Sequence, residues 1–212
     1  MSNYCWCIDP GHGPLTLGKR SPIFRANWWK IGSRFFEFEF NREIARRLCD
    51  MLRNSNVEFM VTVPLDPKHP IGDALKFRVD QANNHKTSKT KIFLSIHSNA
   101  GPTDQPDTWS EANGLEVWFF HGSAIGQKLA MVFNKALHKA TGLKDRGVKS
   151  KEEKQFYVLR KTHMVAILTE NGFYNNRREV EYLVQDSFRQ EIAKAHFEAI
   201  MEIESKGIYS KF

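Results

Sequence analysis

Short apolar runs of strand character alternate with helical stripes along the chain, and this alternation restricts it to an α/β architecture. Tyr4–Ile8 is stopped by Asp9-Pro10-Gly11 and reads as a strand running into a tight loop. Glu37 to about Asn54 is a helix with Phe40, Ile44, Leu48 and Leu52 on one stripe. Val57–Val63 is a second strand, Ile71–Asn84 a helix, Ile92–Ile96 a buried-type strand and Leu115–Phe120 another. A helix runs from about Ser123 to Ala140, with Gly142 placed to end it. Phe156–Leu159 and Val165–Leu168 read as two late strands, and Ser187-Phe188-Arg189-Gln190 has the capping-box pattern that opens a last helix. Asn83–Lys91, Gly101–Asn113 and the basic stretch Lys144–Lys154 read as loops. The expected fold is therefore a single-domain three-layer sandwich over residues 1–212, its mostly parallel central sheet flanked by helices on both faces.

The 212 residues are 41% hydrophobic and 26% charged, enough apolar material for a core and too much for a disordered chain. No stretch approaches the roughly 18 apolar residues of a membrane span, and the N-terminus lacks the basic region of a secretory signal. The net charge of +7 favours a polyanionic partner, either nucleic acid or an anionic cell-wall or membrane surface. A nucleic-acid module is disfavoured because no basic helix or aromatic-basic motif is present. Three cysteines are too few for a disulfide framework. Cys5 and Cys7 share one face of their strand, and C-x-C without a second pair reads as two small buried hydrophobes before it reads as a metal site.

In a sheet of this type ligands gather beyond the carboxyl ends of strands, so the polar residues that end strands carry the chemistry. His12 follows the first strand between Gly11 and Gly13, and His97 follows Ile92–Ile96. Two histidines at neighbouring strand ends can share a metal, although each is also a common structural residue. A catalytic zinc takes three protein ligands and leaves one position open. Glu37, opening the first helix, supplies a third ligand; Glu39 and Glu43 meet the same description, and a carboxylate there also complements the helix dipole. Glu170 follows Val165–Leu168 and is placed to serve as a general base, or alternatively to pair with a nearby cation. His69, His85, His138 and His196 read as surface residues, while His121 and His163 stay candidates for substrate contact. No P-loop, G-x-S-x-G or H-E-x-x-H signature occurs.

Taken in order, these residues resemble the amidase-3 family of zinc-dependent N-acetylmuramoyl-L-alanine amidases. The resemblance rests on Asp9-Pro10-Gly11-His12-Gly13, on Glu37 with Asn41 and Ile44-Ala45, and on Ser95-Ile96-His97-Ser98-Asn99-Ala100. It continues through Gly114-Leu115-Glu116-Val117, Arg146-Gly147-Val148-Lys149, Phe156-Tyr157-Val158-Leu159-Arg160 and Leu168-Thr169-Glu170-Asn171-Gly172-Phe173, so that it covers about residues 4 to 203. It implies one catalytic Zn2+ held by His12, Glu37 and His97, with Glu170 as the catalytic glutamate. Glu37 is preferred over Glu39 because it precedes Ala45 by the family's spacing. The implied reaction is hydrolysis of the amide between the lactyl group of N-acetylmuramic acid and L-alanine in peptidoglycan. Asn99, Lys149 and Arg160 become candidate substrate contacts.

Pro14 stands where the family often has a second glycine, and Val165 where it often has proline. Gly18-Lys19-Arg20-Ser21-Pro22 is similar to a subgroup of Bacteroides-type and phage-encoded members, which makes a phage endolysin a specific expectation. The short Gly101–Asn113 interval has no room for the occluding helix of regulated members, so an open site is expected. The remaining expectations are a monomer acting on peptidoglycan, with no nucleic-acid partner, no membrane insertion and no separate wall-binding domain. Such a protein is made in the cytoplasm and reaches the wall through holin-type release or, if the sequence is a trimmed piece, by export. A different zinc peptidase cutting stem peptides and a non-catalytic peptidoglycan-binding module are the rival readings.

Overall fold

A computed structural model of the chain describes residues 2–16, 18–24, 33–66, 69, 74–105 and 107–208. Strand β1 (Tyr4–Pro10) is followed by helix α1 (Glu37–Asn54), β2 (Glu58–Val61), α2 (Leu75–Asn84), β3 (Thr90–Asn99) and β4 (Leu115–Phe119). Then come α3 (Ala124–Thr141), β5 (Asp145–Lys149), α4 (Tyr157–Lys161), β6 (Val165–Phe173), α5 (Arg177–Leu183) and α6 (Asp186–Lys206). The described strands form one sheet in the order β2-β1-β3-β6-β4-β5. All neighbours are parallel except β4, which runs antiparallel to β6. The mostly parallel α/β sandwich read from the sequence is the fold observed.

Side chains alternate across the sheet and sort its two faces. Trp6, Ile8, Ile92, Leu94, Ile96 and Ile167 face the larger core, where they meet Phe40, Ile44 and Leu48 of α1, Leu129 and Phe133 of α3, and Ile192, Ala199 and Ile203 of α6. Cys7, Phe93, Ala166 and Leu168 face a thinner layer made by Val79 and Ala82 of α2 with Val158 and Leu159 of α4. Both faces are covered, which is why the central strands carry almost unbroken apolar runs.

Several elements depart from the sequence reading. Phe156–Leu159 is not a strand: Phe156 is the N-cap of α4, which begins at Tyr157. A four-residue apolar run has no period to read, and a helical turn lets the adjacent Val158 and Leu159 both be buried, where a strand would send them to opposite faces. Within the presumed loop Lys144–Lys154, Asp145–Lys149 forms edge strand β5. A short, charged edge strand blunts unwanted pairing, and the same charges hide it from a hydrophobicity pattern. Residues 71–73 of the expected helix lie outside the described residues; α2 itself starts at Leu75. The last helix opens at Asp186 without the expected side-chain cap, because Asp186 is drawn into the first turn and pairs with Arg47 at 2.5 Å. The expected strand ends also lengthen, so His97 and Glu170 lie inside β3 and β6 rather than beyond them.

His196, read as a surface residue, is fully buried. Helix α6 packs on both α1 and α3, so its covered face is wider than its apolar stripe. The ring Nδ1 lies 2.8 Å from the Ile192 carbonyl and Nε2 lies 2.9 Å from the Thr169 hydroxyl, which suits a neutral imidazole donating at Nδ1 and accepting at Nε2. Burial pushes its pKa down to about 4, against the opposing hydrogen bond to Ile192. The unfolded chain takes up this proton below the ordinary histidine value of about 6.5, whereas the folded one does not. The corresponding stability is therefore complete above that pH and is lost as the pH falls towards 4. Urea unfolding should show a loss of about 3 kcal/mol across that interval, and a His196→Gln variant should show a flatter pH profile.

Candidate metal centre and catalytic cavity

The carboxyl ends of β1 and β3 and the first turn of α1 converge on a cavity of about 240 Å³. His12 leaves β1 with φ of 61°, a left-handed conformation that is uncommon outside glycine. Buried Arg78, on α2, holds the loop in that shape: its guanidinium donates to the Pro10 carbonyl at 2.5 Å and to the His12 carbonyl. The same guanidinium pairs with Asp9 at 2.7 Å, and Asp9 also accepts from Thr62 at 2.5 Å and Ser95 at 2.6 Å. Burial works against ionising Asp9, but Arg78 and these donors keep its pKa below the usual carboxylate range.

His12 Nε2 lies 3.3 Å from Glu37 Oε2, and His97 Nδ1 lies 3.0 Å from Glu37 Oε1. The two imidazoles meet edge-on with ring centroids 4.8 Å apart. The three residues offer donor atoms within 4.8 Å of one another, a set able to hold a metal ion. Glu37 is 1% exposed, and the Ser98 amide and the Asn41 side chain also donate to its Oε1. Its desolvation is outweighed by the hydrogen bond from His97 and the neighbouring His12, so it stays ionised below the ordinary range. Burial pushes His12 down to about 4 against the attraction of Glu37, which leaves a neutral nitrogen able to bind a metal. Glu39 and Glu43, which the spacing left open, point elsewhere: neither lines the cavity, and Glu43 pairs with Arg46 and Arg47.

Glu170 pairs with His97 across β3 and β6, and with Glu116 across β6 and β4. It lines the cavity, and its buried Oε2 hydrogen-bonds to no described residue. Burial raises its pKa well above the carboxylate range, and the charges of Glu37 and Glu116 raise it further. Its alternative reading, an ion pair with a cation, has no counterpart among the described salt bridges. Asn171, next in β6, donates to the His97 carbonyl at 2.8 Å and fixes that residue from behind.

The candidate substrate contacts divide. Asn99 lines the cavity and donates to Glu116 at 3.0 Å. Lys149 donates to the same carboxylate at 2.5 Å, beside Arg146 at 2.7 Å, and does not itself line the cavity. Arg160 is exposed at the end of α4, with its guanidinium 6.0 Å from the Tyr157 ring centroid and outside the cavity lining. His121 and His163 are exposed and do not line the cavity. The sequence reading passed over Arg78, and it quoted Lys19 and Glu116 within motifs without giving either a role.

The same loop explains Gly11. A β-carbon there would come within 2.1 to 2.5 Å of the His97 ring. Gly11→Ala must push His97 away from Glu37 and is expected to weaken metal binding at this donor set by about 10–100-fold, the scale set by disturbing the support of a metal ligand. Competition with a chromogenic chelator would measure it.

A family profile described as N-acetylmuramoyl-L-alanine amidase matches residues 7–202. The chain belongs to this amidase-3 family. Among curated relatives, the endolysin of Bacillus phage SPP1 is 32% identical over 210 residues, covering 96% of this chain and 66% of that protein. The N-acetylmuramoyl-L-alanine amidase LytC of Bacillus subtilis is 29% identical, with 89% of this chain and 33% of that protein covered. The chain thus spans less than two thirds of the length of these relatives. Among solved structures, the N-acetylmuramoyl-L-alanine amidase of Clostridium difficile superposes with a TM-score of 0.75 at 26% identity, covering 98% of this chain and all of that one. The catalytic domain of the amidase CwlV from Bacillus (Paenibacillus) polymyxa var. colistinus gives 0.74 at 29% identity, covering 94% and 97%. No helix among the described residues is long and apolar enough to cross a membrane.

Proposed function

We propose that this amidase-family chain is a zinc-dependent hydrolase of the amide between the lactyl group of N-acetylmuramic acid and L-alanine in peptidoglycan. One observation carries the reading: the His12–Glu37–His97 donor set shares a cavity with a buried glutamate oxygen that has no hydrogen-bond partner among the described residues. Two imidazoles and a carboxylate are a fitting donor set for a catalytic zinc, which supplies Lewis acidity to a carbonyl and to water. Glu170 Oε2 takes a proton from the attacking water as the new C–O bond forms. It returns that proton to the alanine nitrogen as the C–N bond breaks. A raised pKa suits the second half, since it favours the protonated carboxyl that the departing amine needs. Lys19, exposed at the cavity rim, puts a positive charge beside the entering anionic substrate. Asn99 and Lys149 meet the stem peptide beside Glu116, and Arg160 meets only parts of the polymer that extend beyond the cavity.

The reading takes residues 1–212 as one catalytic domain working as a monomer on the wall, reached through holin-type release or by export. The endolysin and amidase relatives support the substrate. Digestion of purified peptidoglycan with and without a chelator tests it, the products being identified by mass spectrometry. Stem peptides beginning at L-alanine, lost on chelation and restored by zinc, are the expected result. Cuts within the stem would replace it with the zinc-peptidase reading. No product from folded, zinc-loaded protein would leave a binding module.

A further inference from the structure

We propose that Cys5, Glu58 and His85 form a second metal site, selective for a zinc-like ion, at the end of the sheet opposite the catalytic cavity. The inference is independent of the reaction assigned above. Cys5 and Glu58 are direct partners in the parallel β1–β2 pair, so their side chains leave the sheet on one face. His85 is the C-cap of α2, the helix that covers that face. The thiol, carboxylate and imidazole atoms lie within 4.8 Å of one another. The site stands about 16 Å along β1 from the Pro10 end, too far to share an ion with His12.

The donors select the ion. Sulfur, nitrogen and oxygen ligands together suit zinc, whereas calcium and magnesium take oxygen alone. A thiolate and a carboxylate balance a divalent charge, and three protein ligands leave one position for water. The site is also held in place. Lys91 donates to the carbonyls of Ala82, Asn83 and His85 at 2.7, 2.8 and 3.2 Å, pinning the last turn of α2 above Cys5. The half-buried His85 imidazole hydrogen-bonds to no described residue, and its ring offers a ligand nitrogen to the cluster. Glu58 accepts from Thr87 at 2.5 Å and pairs with Lys89 at 2.9 Å. Each of its oxygens keeps a second lone pair, and the Lys89 ammonium, on a flexible stem, can turn out to water.

Cobalt titration of the chelator-stripped protein separates the two centres, because only this one contains sulfur. Two equivalents of Co2+ should bind, one of them with a thiolate-to-cobalt charge-transfer band in the near ultraviolet. Cys5→Ser should remove the band and one equivalent while peptidoglycan hydrolysis persists. His12→Ala should remove the other equivalent and keep the band. If Cys5→Ser does not fold, the half-exposed His85→Ala should weaken binding at the banded centre at least tenfold. A single equivalent without a band in folded wild-type protein would overturn the proposal, as would a band that survives in Cys5→Ser.

Discussion

Glu170→Gln is expected to slow muramoyl-alanine hydrolysis by about 10²–10⁴-fold while zinc stoichiometry and melting temperature hold or rise. Glutamine keeps the shape of the side chain and removes its capacity to carry a proton. Nothing in the fold depends on the charge, since Oε2 makes no hydrogen bond to a described residue and Glu37 and Glu116 both oppose ionisation. The variant should therefore separate chemistry from structure. Rates of appearance of free L-alanine amino termini, set beside metal analysis and calorimetry, would check it. Loss of zinc together with activity would make Glu170 a ligand, and an unchanged rate would remove it from the mechanism.

Arg78→Met should destabilise the protein by about 3–5 kcal/mol, the cost of leaving a buried charge without its partner. Asp9 would lose the guanidinium that offsets its desolvation, although Thr62 and Ser95 would still donate to it. The damage should not stop at stability. Arg78 also holds the Pro10 and His12 carbonyls, and His12 occupies a left-handed conformation that it would leave if released. Zinc affinity should fall with stability, and adding Asp9→Asn should restore stability more than it restores zinc. Denaturant titration and metal competition on the single and double variants would measure the two effects separately.

How much of this was legible in the sequence follows from which forces leave a local trace. The alternation of strands and helices is local, and Trp6, Ile8, Phe93 and Leu168 occupy the core positions that their runs imply. His12, Glu37, His97 and Glu170 were singled out because each ends an apolar run or opens a helix, with the family's spacing choosing Glu37 over Glu39, and all four line the cavity. The Asp9–Arg78 pair was not found. An arginine on a short helix looks the same in sequence whether it meets water or a buried aspartate 69 residues away. His196 was misjudged for a similar reason, since the width of a helix's covered face depends on how many neighbours it packs against. Strand β5 was missed because edge strands carry the charge pattern of loops, and α4 because five residues hold too little of a helical period.

The reversed direction of β4 has a consequence for how such an enzyme can diversify. Strand β3 ends at Asn99 and β4 begins at Leu115 on the same rim, so the connection never crosses the sheet. It is tied down near its ends, where Gly101 exchanges hydrogen bonds with Asn175 and Ser110 meets Asn175 and Asn176. Chain added between those two anchors leaves strand register untouched and is confined to that rim of the sheet. The length of chain carried on this rim and the stability of the scaffold can therefore vary independently.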